Sequence, residues 1–177
     1  MTTRTDTRLQ RVISRHGGRM NVFTKRLVSE ISINASAEQV WAILADFPAY
    51  SQWNPFIREI CGQPIVGEKI KITIEPPGFG KLSYKPVIQT AEPGKKLLWL
   101  GRTGLPNMLD GWHSFVIESD PTDGRGPVRF IHSETLTGIL LFLTPRRLLD
   151  GFHLMNAALK ERVERAAHGQ GNRDAPQ

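Results

Sequence analysis

Residues 36–56, SAEQVWAILADFPAYSQWNPF, constrain the fold more than any other stretch, because they read as two short helices that need another layer to lie on. Ser36 is a good N-cap, Gln39 three residues on completes a capping box, and Val40, Trp41, Ile43 and Leu44 give an apolar face. A helix of only about two to three turns does not hold in water by itself. Asp46 reads as a second cap and Pro48 suits the opening of a helix. Trp53-Asn54-Pro55 ends it, since the residue before a proline is pushed out of the helical region.

The covering layer is a sheet. Residues 26–33 precede the helices as a strand, and 57–60, 68–75, 81–90, 96–101, 111–118 and 127–137 follow. Gly62-Gln63-Pro64, Pro76-Pro77-Gly78, Glu92-Pro93-Gly94 and residues 120–126 are the turns between them. Such short connections imply antiparallel pairing, because a parallel crossover needs about a dozen residues or more. A long helix closes the chain: Thr144 as cap, Pro145 at its first position, Gly169 just past its end, and Leu148, Phe152, Met155, Leu159 and Val163 on one face. Lys160 and Glu164 are spaced for a pair on the opposite face. Gly151 inside this helix costs about 0.5–1 kcal/mol relative to alanine, so it marks a bend, a close approach or a later helix start. The chain therefore reads as α+β: one curved antiparallel sheet of about seven strands around a long C-terminal helix, with two short helices between the first and second strands.

This order resembles the SRPBCC superfamily, also called START-like or helix-grip, which includes polyketide cyclase/dehydrase-like and lipid-transfer proteins. The resemblance is carried by Ile31-Ser32-Ile33 leading into Ala37-Glu38-Gln39-Val40-Trp41, then Asp46, Tyr50 and Trp53-Asn54-Pro55-Phe56. Gly67, Pro76-Pro77-Gly78, Leu97 with Trp99, His113 with Phe115, Glu134 with Gly138, and Met155-Asn156 before Leu159-Lys160 continue it. It covers residues 25–167, which makes 1–24 a basic, disordered extension and 168–177 a disordered tail. The pattern speaks for the fold and hardly for the activity, since such folds host many functions.

The 177 residues carry a formal net charge of +6, and its distribution matters more than its size. Through Arg26 there are seven basic residues against Asp6 alone, and the remainder balances. The folded part thus has no basic field of the kind that nucleic acid needs. Arg4, Arg8, Arg11, Arg15 and Arg19 recur every three or four residues, with Leu9, Val12, Ile13 and Met20 between them, which on a helix would give a basic face beside an apolar one. The extension reads as a plain disordered tail, or as an artefact of start-site choice with Met20 the true start. The competing reading is a mitochondrial transit or membrane-surface segment. One cysteine, Cys61, makes no internal disulfide, and no run reaches the roughly 20 apolar residues of a spanning helix. A cytoplasmic location is the default.

Alternation along the last two strands places His113, Phe115 and Ile117 on one face, and Val128, Phe130, His132, Glu134 and Leu136 on one face of the next. Centring the hairpin on residues 120–126 pairs Ile117 with Val128, Phe115 with Phe130 and His113 with His132; a slip of two would keep the faces and change the partners. His113, His132 and Glu134 are then polar groups on an apolar concave surface. An unpartnered buried carboxylate is costly, so Glu134 should be protonated, paired with Arg102, a histidine or Asn156, or face a wet cavity. These groups form an internal network that shapes the core, orient a ligand, or act as acid and base, with Arg102 beside them.

No phosphate loop, nucleotide-binding glycine pattern, nucleophile elbow or paired-cysteine motif is present, and no cofactor or metal is expected. What the resemblance implies is a cleft between sheet and helix for an apolar small molecule: a lipid, polyketide or aromatic metabolite. Its expected lining is Trp99, Phe115, Phe130, Leu136, Phe152, Met155 and Leu159, with His113, His132, Glu134 and Asn156 orienting the ligand. Residues 47–56 and the loop 102–110 would gate its mouth. The alternatives are a cyclase/dehydrase-type enzyme using the same polar groups and, third, a co-chaperone-like interaction domain.

Overall fold

The computed structural model describes residues 5–12, 22–105, 108–119, 126–145 and 147–171. Nine strands and three helices follow in the order β1 (Thr5–Val12), β2 (Val22–Ile33), α1 (Ala37–Leu44), α2 (Tyr50–Trp53), β3 (Ile57–Cys61), β4 (Lys71–Ile74), β5 (Leu82–Tyr84), β6 (Val87–Glu92), β7 (Lys96–Thr103), β8 (Leu109–Glu118), β9 (Val128–Gly138) and α3 (Leu148–Gly171). Short 3-10 turns precede α2 at Phe47–Ala49 and α3 at Leu141–Leu143. The antiparallel sheet, the paired short helices and the long final helix agree with the expected α+β fold.

The capping box forms as read from the sequence: Gln39 N donates to Ser36 Oγ at 3.3 Å and Ser36 N to Gln39 Oε1 at 2.9 Å. Val40 and Leu44 are fully buried. The Tyr50 hydroxyl then donates to Leu44 O at 2.7 Å, which ties α2 to α1. Asn54 Oδ1 accepts from both Phe56 N (2.9 Å) and Ile57 N (2.8 Å), and this fixes the turn that sends Phe56 inward.

The strands form two sheets rather than one, a six-stranded sheet ordered β1-β2-β9-β8-β7-β6 and a three-stranded sheet β3-β4-β5. The predicted single strand 81–90 is broken because Pro86 lacks an N–H for the ladder and Lys85 before it is pushed off regular pairing. The chain leaves the small sheet at Tyr84 and joins the large one at Val87, and an isolated bridge between Lys69 and Val87 links the two.

The extension is corrected over Thr5–Val12, which pairs antiparallel with β2 from Thr5 opposite Ser29 to Val12 opposite Val22. Backbone pairing explains this, since without β1 the edge of β2 would expose a row of unmatched N–H and C=O groups. Residues 1–4 and 13–21, including Met20, lie outside the described residues, as do 172–177; the final helix runs past Gly169 to Gly171.

Helix α3 starts at Leu148, later than Thr144 and Pro145 suggested. Thr144 is extended and donates its hydroxyl to Leu141 O at 2.8 Å, so it closes the preceding turn instead of capping the helix. Leu148, Phe152, Met155, Leu159 and Val163 are buried as their spacing requires. On the other face Lys160 pairs with Glu164, and Glu164 also accepts from Asn34 N at 2.8 Å. Gly151 is a close approach: a Cβ there would sit 2.3 Å from the ring of Phe56.

Candidate functional site

The β8–β9 pairing differs from the centred hairpin by two residues: Ile117 opposes Phe130, Phe115 opposes His132 and His113 opposes Glu134. The centred register would have set Glu118 opposite Pro127, which has no N–H to give. The observed one sets Glu118 opposite Arg129, with an ion pair of 3.0 Å. The faces are unchanged, so His113, His132 and Glu134 still point inward, at 2%, 0% and 9% exposure.

These side chains form one continuous chain of polar contacts from β2 to β9. Asn156 Nδ2 donates to Ser29 Oγ at 3.1 Å, and Asn156 Oδ1 lies 3.0 Å from His132 Nδ1. His132 Nε2 is 2.7 Å from His113 Nε2, and His113 Nδ1 is 3.8 Å from Glu134 Oε2. With the Asn156 oxygen as acceptor, His132 must carry its proton on Nδ1 and accept at Nε2. His113 then donates from Nε2, and its Nδ1 turns toward Glu134. Burial and the neighbouring His113 hold His132 well below the ordinary histidine range, against the opposing pull of the Asn156 hydrogen bond, with His153 adding to the depression. Phe152 stacks on the His132 ring at 3.8 Å and Trp99 on the His113 ring at 5.0 Å, so both imidazoles are clamped flat.

A cavity of about 330 Å³ opens beside this chain. Trp99, His113, Glu134 and Leu136 line it, joined by Arg102. Its apolar remainder comes from Phe56, Ile74, Leu82, Leu109, Leu143 and Leu148. The exposed lining residues Ser83, Arg102, Thr103 and Leu143 mark its opening. Two glycines make room: a Cβ on Gly111 would lie 3.0 Å from Glu134 Oε1, and one on Gly101 would lie 3.3 Å from the Tyr84 ring.

The other expected lining residues are elsewhere. Phe115, Phe130, Phe152, Met155 and Leu159 are fully buried and fill the space between sheet and helix farther along, and His132 and Asn156 stand behind His113 as its support. Large side chains on both layers interlock there, which leaves the open volume at the β4–β5 end. Of the expected gate, Phe56, Arg102, Thr103 and Leu109 do border the cavity, whereas Phe47 is a core residue; Pro106 and Asn107 lie outside the described residues. Arg102 pairs with Asp110 at 3.1 Å, its cross-strand partner, and not with Glu134.

Sequence reasoning missed Tyr84, whose phenol is pushed above the usual tyrosine range by burial and by the charge of Glu134. The Trp99 indole N–H faces that phenol and opposes the rise, although the contact falls short of normal hydrogen-bond geometry. Ser29 was also missed. Its signal was present, because it is the one polar residue on the inward face of Leu27, Ser29, Ile31 and Ile33. No cluster of three or more His, Cys, Asp or Glu able to hold a metal occurs among the described residues, and no described helix is long and apolar enough to cross a membrane.

A curved antiparallel sheet gripping one long helix, with a cavity between them and a paired short-helix crossover, decides the family of folds. The chain has the helix-grip fold of the START-like (SRPBCC) superfamily. Residues 24–99 of this helix-grip chain match the family model described as polyketide cyclase / dehydrase and lipid transport. Among solved structures it is similar to norcoclaurine synthase from Thalictrum flavum in complex with dopamine and hydroxybenzaldehyde, at 16% identity and TM-score 0.59, covering 88% of this chain and 97% of that one. The Zhui aromatase/cyclase from Streptomyces sp. R1128 gives 13% identity and TM-score 0.59, covering 81% and 96%. A START superfamily protein from Mycobacterium smegmatis gives 18% and 0.57, covering 80% and 98%. At such identities the likeness is one of fold. No curated protein matches the sequence.

Proposed function

We propose that this helix-grip protein binds a hydrophobic small molecule in the cavity between β7–β9, β4–β5 and the start of α3, with the polar end of the ligand held by Tyr84, Arg102, His113 and Glu134. The observation that carries this reading is the cavity of about 330 Å³ itself, whose wall joins the apolar side chains of Phe56, Ile74, Leu82, Leu136 and Leu148 to the polar groups of Tyr84, Arg102, His113 and Glu134. Tyr84, Arg102, Glu134 and His113 would hold the polar end, while Phe56, Leu82, Leu136 and Leu148 would take the apolar body. A volume of about 330 Å³ is at the low end of the usual range of about 300–1,000 Å³ for ligand sites. That favours a compact aromatic or polyketide-like metabolite, or a single acyl chain, over a two-chain lipid. Native mass spectrometry of the purified full chain, followed by solvent extraction, tests it. One apolar species at one-to-one stoichiometry supports the reading, and an empty protein that takes up no apolar probe overturns it.

One observation favours acid–base chemistry as the second reading. The contacts from Ser29 to His113 fix which nitrogen of each imidazole bears the proton, and they turn His113 Nδ1 toward Glu134 at the cavity wall. A histidine in that state is suited to take a proton from the carbon next to a ligand carbonyl, with Tyr84 or Arg102 beside the developing enolate. Loss of turnover in His113→Ala and Glu134→Gln with ligand binding retained would identify it. The cavity itself weighs against a purely surface-acting co-chaperone role.

A further inference from the structure

Exposed apolar side chains are ordinary when scattered and informative when they gather. Of the ten large apolar residues exposed among the described residues, Phe23, Phe79, Leu105, Ile139, Phe142 and Leu143 sit on segments that meet around the cavity opening. Phe23 is the register partner of Gly138, next to Ile139. The loop bearing Leu105 is tied to the same corner by Leu140 N donating to Met108 O at 3.0 Å. The β4–β5 turn bearing Phe79 reaches it too, since Gly78 lies against Arg147. Leu143 is itself a lining residue. Phe142 and Leu105 are the most exposed of all, at 77% and 72%.

The charges around this corner are mostly of one sign. In the β1–β2 ladder Arg11 is opposite Phe23, and Lys25 follows Phe23 by two residues on the same face. Arg102 and Arg147 flank the opening in ion pairs with Asp110 and Asp150, so these pairs balance and the surplus at this corner comes from Arg11 and Lys25. Arg11 and Lys25 are thereby brought to the cavity end of the sheet, next to the apolar rim.

We propose that this rim docks on an anionic lipid bilayer, with Leu105, Phe142 and Leu143 entering the interface beside the basic ladder positions 11 and 25, so that the cavity opens onto the membrane. Apolar side chains ringed by cations are what an interfacial contact requires: buried apolar area supplies the affinity, and each basic group near an anionic surface adds to it. A second copy of the chain would gain the apolar burial but would oppose base to base. The inference stands on the rim alone, independently of what the cavity holds.

Flotation of the full chain with vesicles of phosphatidylcholine, with and without phosphatidylglycerol, tests the proposal. The chain should float only with the anionic vesicles and less at high salt, and Leu105→Asp with Phe142→Asp should weaken that binding about tenfold or more. Phe142→Ala, the milder variant, should weaken it in part while the thermal melt and uptake of an apolar cavity probe stay as in the parent. Equal flotation with both vesicle types, no flotation with either, or full binding by the double variant would each overturn it. So would a dimer in solution that the double variant splits while the parent leaves vesicles alone.

Discussion

The stacked, fully buried His132 makes the pH dependence of folding the most direct probe of the polar chain. In the folded protein this imidazole is held neutral by burial and by His113, and in the unfolded chain it takes up a proton at the ordinary value of about 6.5. Below that pH the unfolded state therefore binds a proton that the folded state refuses, so stability is fully present above about pH 6.5 and is lost as the pH falls. The limiting slope for one such group is about 1.4 kcal/mol for each pH unit, for as long as the folded imidazole stays neutral. Replacing His132 by phenylalanine keeps a flat ring against Phe152 and removes the titrating group. It also strands Asn156 Oδ1 and His113 Nε2, so the variant should be less stable at every pH, by about 1–3 kcal/mol at neutrality, but with a flatter profile. Urea unfolding of both proteins from pH 7.5 down to 5 separates the two effects, because the offset reports the lost contacts and the slope reports the proton. Parallel profiles would refute the reasoning.

Three further outcomes follow from the geometry. Gly151→Ala drives a methyl into the Phe56 ring and should cost about 1–3 kcal/mol in urea or thermal unfolding, the range for overpacked sites. Ser29→Ala leaves Asn156 Nδ2 without its acceptor and should cost about 1–3 kcal/mol in the same measurement, while probe uptake by the cavity is unchanged. Gly111→Val adds atoms where a Cβ already meets Glu134 and Leu136, so it should shrink the cavity and cut the affinity for apolar probes in a fluorescence titration by about tenfold or more.

Local signals in the sequence specified the parts of the fold that depend on local physics. The Ser36–Gln39 capping box, the three-and-four spacing from Leu148 to Val163, and the inward alternation of His113, Phe115, His132 and Glu134 all describe the molecule. Long-range choices were harder to read. The β8–β9 hairpin offered two registers with identical faces, separated by the cost of opposing Pro127 to Glu118 and by the Glu118–Arg129 ion pair of the observed one. Pro86 was visible as a strand breaker, yet nothing local said that the chain would change sheets there. The polar chain was half legible, since Asn156, His132, His113 and Glu134 stood out while Ser29 hid as a small residue in a strand. The cavity was displaced from its expected position because close packing of Phe115, Phe130, Met155 and Leu159 depends on side chains from distant segments meeting.

The contact between Gly151 and Phe56 reaches beyond stability. Phe56 advances into the volume that any side chain at 151 would occupy, and the same ring is part of the cavity wall. The absence of one methyl group on the last helix therefore acts as a depth stop for the chamber. Relatives that differ at this helix position would be graded by the length of guest they admit, although residue 151 itself never meets the guest.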